Sequence, residues 1–106
     1  MSTLHVSQTG HGLPVVLGHG FTQDSSIFDD QVAALSPNYR VITWDAPSHG
    51  RSPDRDGPFT HAALADDIAA ALVERGVDRA VIGGSSQGGW VSMHVALRHP
   101  DLVAGL

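Results

Sequence analysis

The sequence contains no cysteine, so disulfide bonds and thiolate-bound metal sites are excluded. Charged residues make up only 16% of the chain, and the formal net charge is −5. This acidic balance argues against binding to nucleic acids or to anionic membrane surfaces. The chain also has no apolar run long enough to cross a membrane, and its first residues lack the basic and apolar regions of a signal peptide. We therefore expect a cytoplasmic protein with no nucleic-acid or membrane partner.

The 106 residues are 42% hydrophobic, which is enough for one modest globular domain with one core. Short apolar runs typical of β-strands occupy residues 4–8, 14–17, 40–44, 80–82 and 102–106. Helical patterns separate most of them. Strands that alternate with helices predict an α/β fold, with a mainly parallel sheet and helices on both of its faces.

Three helices are predicted from residue spacing and capping residues. The first begins at Ser25 or Ser26, either of which can cap its N-terminus. The second begins after Thr60, carries apolar residues at four-residue spacing, and ends at Gly76. The third leaves the glycine-rich stretch around residue 86 and ends near residue 99.

The most informative stretch is residues 83–89, where an apolar strand enters a cluster of small residues and a helix leaves it. Within it, Gly84 to Gly88 fits the pattern G-x-S-x-G with Ser86 at the centre. This pattern describes a serine held on a sharp, strained strand-to-helix turn with its hydroxyl exposed. Side chains two residues before and after the serine would clash, so Gly84 and Gly88 meet a steric requirement. Gly89 is expected to let the helix pack close to the strand.

Parallel sheets of this kind bind ligands beyond the C-terminal ends of their strands. Three predicted loops lie at that edge, spanning residues 18–24, 45–58 and 83–89. The backbone N–H of Gln87 lies at a helix N-terminus, where free amides and the helix dipole favour a developing negative charge. The sequence therefore predicts a site for a small-molecule substrate at this edge.

The ordered motifs resemble those of the α/β-hydrolase family over nearly the whole chain. His19-Gly20-Phe21 resembles the oxyanion loop of the family, residues 45–52 its next loop, residues 84–88 its nucleophile elbow, and residues 96–100 the end of the helix after the elbow. The resemblance implies that Ser86 is the catalytic nucleophile and that the N–H groups of Phe21 and Gln87 form the oxyanion hole. Ser48 departs from the pattern, since the family often has glycine there.

The family places its catalytic acid and histidine after later strands, beyond Leu106. Its earliest strand also has no counterpart here. The resemblance therefore implies that residues 1–106 are the N-terminal portion of a single α/β-hydrolase domain, apparently truncated. The rest of the fold would come from a second chain or piece, or the exposed sheet edge would self-associate.

Several other polar residues are expected to be structural. By the same resemblance, His19 and His49 brace their loops, and Asp45 holds the loop that follows it. The remaining histidines show no metal-binding spacing, and we expect neither a metal nor another cofactor. Asp66 and Asp67 are expected to form a solvated helix face, and Trp44 and Trp90 to pack rather than bind substrate.

The resulting hypothesis is a serine hydrolase that acts on a small ester or other acyl substrate through an acyl-enzyme. A serine nucleophile argues against the dehalogenase and epoxide-hydrolase branches. Cofactor-free haloperoxidases, C–C bond hydrolases and lyases of the menaquinone pathway share the scaffold and stay open as alternatives.

Two hypotheses come from other classes of function. Nucleotide binding is disfavoured, because residues 83–89 fit neither of the usual glycine-rich phosphate motifs. The 106 residues alone are alternatively a non-catalytic folding or assembly piece, since a serine without its base keeps its proton. We expect negligible esterase activity from the isolated chain.

Overall fold

A computed structural model describes residues 4–54 and 59–106. Its five strands form one sheet in the order β1-β3-β2-β4-β5. They are β1 (Val6–Thr9), β2 (Pro14–Gly18), β3 (Arg40–Trp44), β4 (Ala80–Gly84) and β5 (Val103–Gly105). β1 is antiparallel to β3, and all other neighbouring pairs are parallel, which confirms the predicted mainly parallel sheet. The predicted loop 45–58 lies partly outside the described residues.

Within residues 4–54 and 59–106, three α-helices and two short 3₁₀ helices connect the strands. The α-helices are α1 (Asp29–Leu35), α2 (His61–Glu74) and α3 (Gln87–Arg98), and the 3₁₀ helices are Ser25–Phe28 and Pro100–Leu102. No helix in the described part of the chain is long and apolar enough to cross a membrane.

The core lies between the sheet and helices α2 and α3. Val16, Ile42 and Ile82 stand side by side on the three central strands and are fully buried on this face. Leu64 and Leu72 of α2 pack into the same cluster. Alternate side chains of a strand point to opposite faces, so the neighbouring strand residues face the other way, towards α1.

The α1 side of the sheet is less completely covered. A cavity of about 360 Å³ lies there, lined by Val32 of α1 and by Val41 and Thr43 of β3 among others. On the same face Val15 and Leu17 are only partly buried. The structure thus has helices on both faces of the sheet, as predicted. The hydrophobic core, however, lies on the face covered by α2 and α3.

The helix boundaries test the predicted caps. The hydroxyl of Thr60 accepts the N–H of Ala63 at 3.0 Å, which confirms this cap of α2. Gly76 has a φ of +72°, a conformation that glycine adopts without strain, and it ends the helix as predicted. The prediction of Ser25 or Ser26 as a cap is wrong. Asp24 caps the segment instead, because its carboxylate accepts the Ser26 N–H at 2.8 Å.

The two tryptophans differ in their surroundings. Trp44 is buried in the core, as expected, whereas Trp90 is 59% exposed. Met93 and Leu97 follow Trp90 at helical spacing and are also exposed. An apolar stripe on α3, formed by these three residues, is therefore left without a cover in the described structure.

Asp66 is not simply a solvated residue. Its carboxylate accepts two hydrogen bonds from the Arg98 guanidinium, at 2.9 and 2.7 Å, and lies 2.7 Å from Nε2 of His99. These bonds hold the pKa of the Asp66 carboxyl well below its ordinary range. The cluster ties α2 to the C-terminal end of α3, a pairing that the local sequence did not reveal.

Candidate active site

Ser86 lies on a two-residue turn between β4 and α3. Its φ is 54° and its ψ is −117°, a combination that costs a residue with a side chain of the order of 1–3 kcal/mol. The residue is exposed to solvent. The chain therefore presents this serine on a strained turn at the start of a helix, the geometry that the G-x-S-x-G pattern predicts.

Close approach of β4, α3 and the end of β2 explains two of the elbow's glycines. A Cβ on Gly88 would lie 2.0 Å from the carbonyl oxygen of Gly18, and one on Gly84 would lie 2.5 Å from the same oxygen. Gly89 is less constrained, because its nearest neighbour would be 3.3 Å away. The N–H of Ser85 donates to this Gly18 oxygen at 3.0 Å. The elbow is thus packed against and bonded to the end of β2.

The loop that leaves β2 begins with a buried histidine. Nε2 of His19 accepts the N–H of Ala46 at 2.9 Å, so the ring proton is on Nδ1, which lies 2.7 Å from the carbonyl oxygen of Gly20. Both ring nitrogens are therefore engaged with the backbone. His19 braces this loop against the loop after β3 and has no nitrogen free to take a proton from Ser86.

His49 joins the same two loops from the other side. Its Nε2 accepts the N–H of Thr22 at 3.1 Å, and its Nδ1 donates to the carbonyl oxygen of Pro47 at 2.8 Å. The ring also lies 5.5 Å from that of Phe21, centre to centre, in an edge-on arrangement. The loop-bracing role expected for His49 agrees with this geometry.

Asp45 is buried at the end of β3, and backbone amides bond both of its carboxylate oxygens. The Ser25 N–H donates to one oxygen at 2.8 Å, and the Arg51 N–H donates to the other at 3.0 Å. Burial raises the pKa of this carboxyl, but the amide hydrogen bonds outweigh burial, and the net effect lowers the pKa below its ordinary value. Asp45 is thus an ionised anchor for its own loop and for the start of the Ser25–Phe28 segment.

Ser48 adopts the backbone conformation that glycine would take at this place. Its φ is +63°, in the left-handed region. Its N–H donates to the carbonyl oxygen of Pro53 at 3.1 Å. The departure from glycine therefore leaves the left-handed turn in place and puts a strained residue in it.

The structure places the loop of Phe21 next to Ser86. The third predicted site residue, Gln87, directly follows Ser86 in sequence. A Cβ on Gly20 would lie 3.5 Å from Cβ of Ser86, so the loop that carries Phe21 passes directly beside the serine. Phe21 is 68% exposed. Gln87 is the first residue of α3, where a backbone N–H has no acceptor within the helix.

Other functional groups around Ser86 are sparse in the described residues. No hydrogen bond joins the Ser86 hydroxyl to a histidine in this part of the structure. Among residues 4–54 and 59–106, no three histidine, aspartate or glutamate side chains are grouped so that they could hold a metal ion. The side-chain oxygen of Gln87 is buried and meets no donor there.

Sequence reasoning missed two contributors to this site. Gln23 bonds the backbone of Gly20 through its side chain, and Asp24 caps the segment that follows. Gln23 lies three residues after Gly20, the spacing at which a glutamine side chain reaches back to a preceding N–H. This spacing was the available signal.

The chain is similar to known hydrolases over nearly its whole length. Residues 14–106 match the family model for the alpha/beta hydrolase fold. The chain is 36% identical over 103 residues to a pimeloyl-(acyl-carrier protein) methyl ester esterase of Vibrio cholerae serotype O1, which covers 97% of this chain and 38% of that protein. Solved structures of other proteins also resemble the chain, in both fold and sequence.

One of these structures is a thermophilic esterase from Thermogutta terrifontis, with a TM-score of 0.93 and 38% identity over 97% of this chain and 38% of that one. Another is an enol-lactonase from Burkholderia xenovorans, with a TM-score of 0.87 and 33% identity over 94% of this chain and 40% of that one. The chain thus spans about two fifths of the length of these relatives.

Proposed function

Because the chain belongs to the family with the alpha/beta hydrolase fold, we propose that it is the N-terminal portion of a serine hydrolase acting on a small ester or related acyl substrate. The observation that carries the proposal is the backbone of Ser86, which is strained, solvent-exposed and placed at the N-terminus of α3 beside the loop of Phe21. An esterase and an enol-lactonase among the similar proteins support ester chemistry.

In the proposed reaction, the Ser86 oxygen attacks the carbonyl carbon of the substrate and gives up its proton to a base. The carbonyl electron pair moves onto oxygen, where the N–H groups of Phe21 and Gln87 stabilise it. The bond to the leaving alcohol then breaks as its oxygen takes the proton. Water next gives a proton to the base and attacks the acyl carbon. The bond between that carbon and the Ser86 oxygen then breaks, the base returns the proton to the Ser86 oxygen, and the acid is released.

The base is proposed to lie in the part of the full-length protein that follows Leu106. His19 and His49 are the histidines of the neighbouring loops, and the backbone engages both nitrogens of each ring. Neither ring could take the Ser86 proton without breaking a bond that holds a loop. We therefore expect the 106 residues alone to have negligible turnover of p-nitrophenyl acetate.

The missing part is also the proposed partner of the exposed apolar surface. Trp90, Met93 and Leu97 leave an uncovered stripe on α3, and β5 is one of the two edge strands of the described sheet, with β1 at the other edge. A second chain or the remaining part of the same chain would cover the stripe and β5. Without it, we expect self-association through this surface.

Active-site labelling of the full-length protein tests the proposal. A fluorophosphonate probe is expected to label the wild type and not Ser86→Ala. Ser85→Ala is the matched control, because Ser85 is the neighbouring exposed serine, and it should still be labelled. Labelling of Ser86→Ala, or binding of a nucleotide to an unlabelled wild type, would contradict the proposed function.

A further inference from the structure

In the loop after β2, the backbone N–H groups on either side of Phe21 have hydrogen-bond acceptors, whereas that of Phe21 has none among the described residues. The Gly20 N–H donates to the side-chain oxygen of Gln23 at 2.9 Å, the Thr22 N–H donates to His49, and the Gln23 N–H donates back to the Gly20 oxygen at 3.2 Å. In the described part of the chain the Phe21 N–H meets no acceptor. The network therefore leaves one N–H of four consecutive ones available for a ligand.

The same network determines the direction of that N–H. The peptide between Gly20 and Phe21 is planar and trans, so its carbonyl and its N–H point in opposite directions. The carbonyl oxygen lies 2.7 Å from Nδ1 of His19 and accepts the Gln23 N–H. Because these two donors hold the oxygen on one side, the Phe21 N–H is held on the other.

Gln23 forms hydrogen bonds with both polar backbone atoms of Gly20, and this pair of bonds is called the clamp. The backbone of Gln23 bonds the Gly20 oxygen, and its side chain bonds the Gly20 N–H. A Cβ on Gly20 would lie 2.8 Å from the side-chain oxygen of Gln23 and 3.5 Å from Cβ of Ser86. The carboxamide and the serine thus border the same side of Gly20, so the clamp acts directly beside the proposed nucleophile.

We infer that the side chain of Gln23 is a positioning residue, which orients the Phe21 N–H towards the acyl oxygen of a substrate on Ser86. The inference rests on the proposed function of Ser86 and Phe21. An oxyanion donor acts through its alignment with the charge that develops in the transition state. Loss of the clamp should therefore slow the chemical step more than it weakens substrate binding.

Kinetics of the full-length protein test the inference. Gln23→Met keeps the length of the side chain and removes its acceptor, and Gln31→Met on α1 is the exposed control. We expect Gln23→Met to lower kcat about fivefold to tenfold, the effect of one neutral hydrogen bond, with KM changed less than about twofold. Inhibition by phenylboronic acid, whose adduct on serine resembles the tetrahedral intermediate, should weaken by the same factor.

Two results would overturn the inference. One is a kcat and a boronic acid affinity equal to those of Gln31→Met. The other is a raised KM at unchanged kcat, which would make Gln23 a substrate contact. If Gln23→Met unfolds, Gln23→Asn decides, since it keeps a neutral carboxamide but is one methylene shorter, which withdraws its oxygen from the Gly20 N–H. A kcat lowered by about threefold or more supports the inference, and a smaller change overturns it.

The proposed function fails separately. Activity that survives in Ser86→Ala would remove the proposed nucleophile and the inference with it. Activity lost in Ser86→Ala but unchanged in Gln23→Met would remove the inference alone.

Discussion

Nε2 of His49 accepts the N–H of Thr22 at 3.1 Å and so bonds the loop after β3 to the loop that carries Phe21. Thr22 has a φ of +67°, a conformation that residues with branched side chains rarely adopt. The bond from His49 is therefore one of the contacts that hold the loop of Phe21 in its strained form. The two loops act as one structural unit.

Replacement of His49 by alanine should loosen this unit. The substitution removes two hydrogen bonds, one to Thr22 and one to the Pro47 oxygen, so we expect the free energy of unfolding of the full-length protein to fall by about 1–2 kcal/mol. Urea denaturation measures the change. His11→Ala, in an exposed turn, is the control and should change the stability by less than about 0.5 kcal/mol. Equal stability of the two variants would contradict the bracing role.

Ser86 should be a site where function and stability oppose each other. Glycine adopts a positive φ without strain, so Ser86→Gly is expected to be more stable than Ser86→Ala by about 1 kcal/mol. Both variants lack the hydroxyl and should be inactive. Comparison of their urea unfolding curves isolates the backbone term. A Ser86→Ala variant as stable as Ser86→Gly would show that the turn is not strained.

Two glycines of the elbow region should respond differently to the same added methyl group. Gly88→Ala places Cβ 2.0 Å from the Gly18 oxygen, whereas Gly83 has open space on that side. We expect Gly88→Ala to destabilise the fold by about 3 kcal/mol or more and Gly83→Ala to change its stability by less than about 0.5 kcal/mol. Melting temperatures of the two variants check this. Similar melting temperatures would exclude the close packing of α3 on β2.

The cluster around Asp66 predicts a pH dependence of stability. Its carboxyl has a lowered pKa in the folded state because Arg98 and His99 bond it. The stabilisation is therefore complete above the unfolded pKa of about 3.9 and is lost as the pH falls through the lower folded value. We expect the wild type to have a higher urea midpoint than Asp66→Asn at pH 7, and the difference to shrink below about pH 4.

Asp78→Asn provides the matched control for this experiment, since Asp78 is an exposed aspartate in the turn after α2. A midpoint difference between the wild type and Asp66→Asn that does not change between pH 7 and pH 3 would contradict the prediction.

Local pattern was sufficient to predict most of the fold. The strand predicted for residues 40–44 coincides with β3, and Thr60 and Gly76 mark the ends of α2 as expected. These features depend on neighbours a few residues apart. The prediction of the cap before α1 failed because Asp24, Ser25 and Ser26 are all residue types that can cap a helix. Only the path of the chain in the folded structure selects Asp24.

The candidate site divides in the same way. The glycines around Ser86 are a local steric requirement and were readable from the sequence. The bonds from Ser25 to Asp45 and from Thr22 to His49 join residues 20 or more positions apart, and no local pattern contains them. The resemblance to a family supplied a bracing role for His49 but not its partner.

The carbonyl oxygen of Gly18 has a consequence for how the site moves. Gly18 is the last residue of the central strand β2 and directly precedes His19. Its carbonyl oxygen accepts the Ser85 N–H. The serine turn and the neighbouring loop are therefore tethered to a single point in the middle of the sheet. Thermal motion of either is transmitted to the other, so their separation is expected to fluctuate less than the position of each. Much of the entropic cost of assembling a reactive geometry would then be met during folding, before any substrate arrives.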